Sequence, residues 1–367
     1  MPSTIAFFPW AFVQSTVSVG KLRLLPYQKG DAPGNLPYVT QANIDGVLGA
    51  YADRPNLPIR SGALLELDDW QSGMDMADER VTQLFRIRHL LGFSALARRE
   101  LFQHFGYSNF DTYTLIIQRF KPEEPNTFSI VARRRDGHAQ HLWGSDLFAF
   151  HRPLHVDGQA QIAVDEALLS ALLCLTGTHE HVYEAIVEFN LANTDANDVP
   201  DHVEVVMCKS AFEWLLQIDS NARTFLTALE ARLSGITFVQ TPSPLTAKWT
   251  SRWPKSSNVL SAWAKDFCAV RGTSAHGAKK TDFVWSKRQH LAFVALFFPL
   301  LVKKVLSDEG LLTLDDVDVR KMQNIETYLA YDPFDFDWHS NDAHPWSKAN
   351  SQSKMTVLAR RMYPNWK

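Results

Sequence analysis

Cysteine is scarce: the 367 residues hold only three, Cys174, Cys208 and Cys268. They stand far apart and form no CxxC pair, which argues against a disulfide framework or a zinc knuckle and leaves free thiols of a reducing cytosol. An excess of one charge is also missing. The net charge is −3, so no global basic field draws in a polyanion, and any nucleic-acid surface has to be local. Long apolar runs are missing too. The longest, Leu291 to Val302, falls well short of the ~20 residues that span a bilayer, so it is expected to be a buried helix and no membrane partner is expected. Met1 to Val13 is apolar but lacks a basic leader segment and contains Pro2 and Pro9; it reads as a strand rather than a signal peptide. There is no P-loop, GxGxxG or GxSxG, and no cofactor is expected. The histidine pairs His138/His141, His151/His155, His179/His181 and His339/His344 have no third ligand at a convincing spacing, so no metal is expected either.

What is present is a globular balance, 46% hydrophobic and 21% charged, in a chain long enough for two domains. Residues 5–13, 17–25, 113–120 and 128–134 read as strands, and Asp136-Gly137 as a hairpin turn leading to a partner strand through 141–150. Between them, Leu84, Ile87, Leu90 and Leu91, then Leu96, Leu101 and Phe105, recur at helical spacing over 76–105. From about residue 160 the pattern turns helical, with apolar stripes over 162–174, 203–218, 221–233, 257–271 and 286–306. The fold class expected is therefore α+β. Residues 1–155 form a mixed α/β domain that senses a trigger or positions substrate, 156–328 a helical bundle, and 329–367 an extended arm broken by Pro333, Pro345 and Pro364.

One stretch carries chemistry: Arg271-Gly272-Thr273-Ser274-Ala275-His276-Gly277, where Arg271 is expected to close an amphipathic helix and the glycines to loosen the backbone around His276. RNA supplies its own nucleophile, the 2′-hydroxyl. Cutting it needs a base for that hydroxyl, an acid for the leaving 5′-oxygen, and positive charge on the phosphate. His serves as acid or base near neutral pH, worth about 10²–10⁴-fold, and Arg holds a phosphate with its planar fork. One imidazole cannot be acid and base at once, so two copies across a dimer would divide the work.

Around the pair, Lys248 to Arg288 carries nine basic residues against two acids, Asp266 and Asp282, with Trp249, Trp253 and Trp285 interleaved. Backbone neutralisation plus stacking is how single strands are held, and Lys248, Trp249, Arg252, Trp253, Lys279 and Lys280 are the expected RNA-binding residues; a solvated face over core tryptophans is the other reading. Arg133-Arg134-Arg135 reads as a solvated hairpin tip, with contact to RNA or a partner as the other reading.

The spacing of Arg271 and His276, with four residues between, the trailing Gly277 and the long apolar helix after it resemble the HEPN superfamily. The segment Cys208-Lys-Ser-Ala-Phe-Glu-Trp-Leu-Leu216 looks like the early helix of its Apea-like members. The resemblance covers roughly residues 160–310. It implies a metal-independent endoribonuclease, active as a homodimer in which two motifs meet, serving phage defence or a toxin–antitoxin system, with an antitoxin or trigger protein as a further partner. Arg271 and His276 would inherit the catalytic roles. The residue after the Arg is commonly Asn, Asp or His in the family; here it is Gly272. A non-catalytic module for dimerisation and partner or nucleotide binding is the alternative that the resemblance leaves open.

Overall fold

Every residue from Ser3 to Phe8 is buried, which a strand achieves only in the interior of a sheet covered on both faces. In the computed structural model this segment is indeed central. The structure describes all residues except 1–2, 32–35, 55–56, 103–106, 134–135, 137–138, 145–148, 159, 278–281, 337–342 and 363–367. The antiparallel sheet runs, edge to edge, Ala139–Gly144, Glu124–Arg133, Ile116–Lys121, Ser3–Phe8, Ser61–Leu67, Leu22–Gln28 and Val17–Val19. Phe7 registers against Leu64 on one side and Ile116 on the other. The strands paired around Asp136 bear out the hairpin, with His141 opposite Val131; the turn residues 134–135 and 137–138 lie outside the described residues.

The chain is α+β, with the strands early and the helices late. It divides into two compact units. The first comprises Met1–Arg98 and Gly106–Leu173, the second Arg99–Phe105 and Cys174–Lys367.

Among the described residues, three α-helices belong to the first unit. Helix α1, Gln41–Leu48, begins at a reciprocal cap between Thr40 and Asn43 and buries Ile44, Val47 and Leu48. Helix α2, Asp78–Leu96, buries Leu84, Ile87, Leu90 and Leu91 as the spacing predicts, but stops at Leu96. The pattern does not carry it on to 105: Leu101 and Phe102 belong to the second unit, and Phe102 has φ +60, which no right-handed helix accommodates. Helix α3, Glu166–Leu173, buries Leu168, Leu169 and Leu172. The run from Val156 to Leu173, expected in the helical half, therefore packs in the first unit. Val156, Ile162 and Val164 are buried, and Ala160–Gln161 pairs in parallel with Ala11–Phe12.

In the second unit, α4 (Glu180–Leu191), α5 (Asp201–Leu216), α6 (Ala222–Arg232), α7 (Thr246–Arg252), α8 (Val259–His276) and α9 (Lys287–Asp308) are followed by α10 (Asp316–Gln323), α11 (Ile325–Leu329) and α12 (Pro345–Met362). Phe212 of α5 is a hub, its ring 5.3 Å from Phe225, 5.1 Å from Phe298 and 6.3 Å from Trp263. Helix α9 is long and apolar enough to cross a membrane, but most of it is buried within the fold, as befits a core helix. Cys208 is buried, Cys268 half-buried and Cys174 exposed, all as free thiols.

The end of the chain departs from the extended arm expected over 329–367: Pro345–Met362 is helical. Pro345 opens that helix rather than breaking it, because a first-turn residue needs no N–H partner and the ring already holds a helical φ. Trp346, Ala349, Asn350, Ser353 and Val357 line its buried face. Tyr328 Oη donates to Asn350 Oδ1 at 2.7 Å, and Asn324 Nδ2 to Ser353 Oγ at 3.0 Å.

Candidate active site and the basic cleft beside it

Helix α8 is fixed at its start by Asn258, whose side chain accepts from Ser261 N at 2.8 Å while Ser261 Oγ reaches back. Leu260, Trp263, Phe267 and Val270 form its buried stripe. The helix does not close at Arg271. It runs through the whole motif to His276 and ends at Gly277, whose φ of +65 makes the left-handed turn that suits glycine. Gly272 is thus a helix-interior residue. Thr273 and Ala275 sustain the helix, and Thr273 Oγ1 donates to Ala269 O at 2.9 Å.

This placement sets the geometry of the pair. Five residues along an α-helix is a rotation of ~500°, so Arg271 and His276 leave the axis about 140° apart and about 7.5 Å along it. His276 is exposed. Arg271 is half-buried, and its Nε is buried without a hydrogen-bond partner. By helix geometry the two side chains of one chain therefore leave α8 from different faces.

The best-ordered chemistry near the motif was not anticipated. Asp266, wholly buried on α8, accepts from Trp253 Nε1 at 2.9 Å, Val284 N at 3.1 Å, Trp285 N at 3.2 Å and His290 Nε2 at 3.2 Å. Burial by itself would raise this carboxyl, but the bonds from His290, Trp253 and Trp285 hold it below the usual carboxylate range. His290, also wholly buried, is pulled below its usual range by loss of water, against the attraction of Asp266. The pair is therefore a carboxylate and a neutral imidazole that donates from Nε2. It ties Val284, Trp285 and the start of α9 to α8. The sequence signal is there in outline: one of two acids on an otherwise basic tract, with a histidine on the apolar helix that follows.

The expected RNA-binding residues divide. Lys248 and Arg252, four apart on α7, line a cleft of ≈ 240 Å³ together with Ser251, Asp282, Phe283 and Val284. Trp253 is half-buried and turned to Asp266, and Trp249 is half-buried as well. Trp285 is a core residue, with 2% exposure, so it offers no stacking face to solvent. Lys279 and Lys280 lie outside the described residues. His179 faces Glu309 at 3.4 Å, and in the first unit His155 meets Asp111 at 2.6 Å. Among the described residues, no three His, Cys, Asp or Glu side chains gather as a metal site.

Comparison with family models, with curated proteins and with solved structures returned no match.

Proposed function

We propose that the chain is a metal-independent endoribonuclease acting as a homodimer in the cytosol, in phage defence or as a toxin. The reading rests on the HEPN-like motif, with Arg271 half-buried and its Nε unpartnered, and His276 exposed at the end of the same helix. The 140° splay within one chain fits a composite site better than a self-contained one. Arg271 of one protomer would hold the phosphate while the two His276 side chains act as base and acid. The base takes the 2′-hydroxyl proton, the 2′-oxygen attacks phosphorus, and the acid protonates the departing 5′-oxygen. The products are a 2′,3′-cyclic phosphate and a 5′-hydroxyl.

The test is RNA cleavage by purified protein in EDTA, with end-group analysis. Cyclic phosphate ends that disappear in His276→Ala support the reading. Cleavage that EDTA abolishes, or full activity in His276→Ala, overturns it.

The same splay, together with Gly272 after the Arg, favours a second reading: a non-catalytic module whose α8 end serves dimerisation or partner binding. It expects no cleavage, and conversion of dimer to monomer in Arg271→Ala on light scattering. A wild-type monomer would count against both.

A further inference from the structure

The cleft between α7 and the residues preceding α9 has the chemistry of a ligand site whether or not the motif cuts RNA. Lys248 Nζ donates to Val284 O at 2.8 Å, which fixes the ammonium at the cleft wall and leaves two of its three protons to give. Arg252 is held by its face, its Cζ 5.1 Å from the Trp253 ring, while its Nε is buried and has no hydrogen-bond partner. Its ion pair is loose: Asp282 Oδ2 lies 3.6 Å away on a side chain that is 82% exposed. Ser251 adds a hydroxyl to the lining, and Phe283, half-buried, an aromatic ring.

Two preorganised cations four residues apart, facing one solvated carboxylate, give a cleft of net positive charge with unused donors. A guanidinium fork and an ammonium on one helix face match the several oxygens of a phosphate group. The volume of ≈ 240 Å³ is below the ~300 Å³ at which pockets enclose drug-sized ligands, so it takes in the phosphate and part of one nucleoside, and a dinucleotide cofactor does not fit within it.

We infer that this cleft binds the phosphate ester of a nucleoside, with the phosphate between Lys248 and Arg252 and the ring system against Phe283. The occupant is either one nucleotide of an RNA strand or a free mononucleotide. The inference goes beyond the nuclease reading, because it concerns binding alone.

The experiment uses the full chain carrying His276→Ala, so that cleavage plays no part. A fluorescent oligouridine strand is followed by anisotropy at fixed salt, with uridine 5′-monophosphate, uridine and inorganic phosphate as competitors. Strand binding that weakens by about tenfold or more in Arg252→Gln supports the site; one good charge-assisted contact is worth roughly that factor. Asp282→Asn, at an exposed position, is expected to tighten binding several-fold, a gain that misfolding cannot produce. Displacement by the monophosphate but not by uridine identifies a free nucleotide as occupant; an Arg252-dependent strand that the monophosphate leaves in place identifies RNA. Binding of neither probe, or affinities that both Arg252→Gln and Asp282→Asn leave unchanged, overturns the inference.

Discussion

His290 Nε2 lies 3.2 Å from Asp266 Oδ2, and neither side chain has any exposure. That carboxylate is the shared acceptor for an indole, an imidazole and two backbone amides, from Trp253, His290, Val284 and Trp285. Asp266→Ala strands four donors at once, three of them buried. We expect a loss of about 3–5 kcal/mol in denaturant unfolding, the range for breaking a buried charged network from one side. A loss under about 1 kcal/mol would mean that the network does not hold the segment between α8 and α9.

Acidification acts through three histidines that fold in the neutral state. Burial, helped by Arg88, lowers His89 to about 4, and burial lowers His290 and His344. His344 is locked in one tautomer, donating from Nε2 to Pro333 O at 2.9 Å and accepting from Trp346 N at Nδ1 at 3.1 Å. A depressed folded-state value means that the unfolded chain takes up the proton first. The stability each group contributes is complete above its unfolded value near 6.5 and declines as pH falls toward the folded one. Melting midpoints should therefore drop between pH 6.5 and 4, and His89→Phe should flatten the part belonging to the first unit. A His89→Phe variant whose midpoints fall as steeply as the wild type's across that range would refute the assignment of a neutral buried His89.

What could be read from the sequence followed local period and composition. The stripes over 257–271 and 286–306 became α8 and α9, because an apolar face repeated every three to four residues has one stable solution in water. The hairpin about Asp136 was legible for the same reason. Three features were not. Helix α1 hides in a stretch rich in turn formers, its cap Thr40–Asn43 being too short a signal to outweigh them. Pro345 reads as a breaker unless it is known to stand first in a helix. The central place of Ser3–Phe8, between strands that begin at Ser61 and Ile116, depends on pairings distant in the chain, which no local window holds. At the candidate site, Arg271 and His276 were legible as residue types at a spacing. Their separation about one helix axis, and the buried acceptor Asp266 a turn earlier, depend on where α8 ends and on what returns to pack on it.

Glu204 on α5 is expected to respond to pH in the opposite sense. Burial, and then the carboxylates of Asp195 and Asp201, push it up to about 7. A raised value means that the folded chain favours the protonated acid. The contribution is complete below about 4.5 and lost as pH rises through 7. Glu204→Gln removes the ionised form, so it should stabilise the protein at pH 8 by about 1 kcal/mol, discounted for partial exposure, and change little at pH 4. Equal effects at both pH values would remove ionisation as the cause.

Gly272 and Gly277 bracket the end of the motif, and the same substitution should act on them with opposite signs. Gly272 is inside α8, and a Cβ built there meets no atom within 4 Å. Gly272→Ala removes unfolded-state freedom without a clash and should stabilise by roughly 0.5–1 kcal/mol. Gly277 sits at φ +65, where an L side chain is strained, so Gly277→Ala should cost about 1 kcal/mol and fray the last turn, which bears His276. If the motif acts on RNA, Gly272→Ala should retain activity and Gly277→Ala should lose part of it at temperatures where the fold is intact. Denaturation midpoints for both variants check the signs. Destabilisation by Gly272→Ala would show that α8 is interrupted at the motif, and the 140° separation of Arg271 and His276 would go with it.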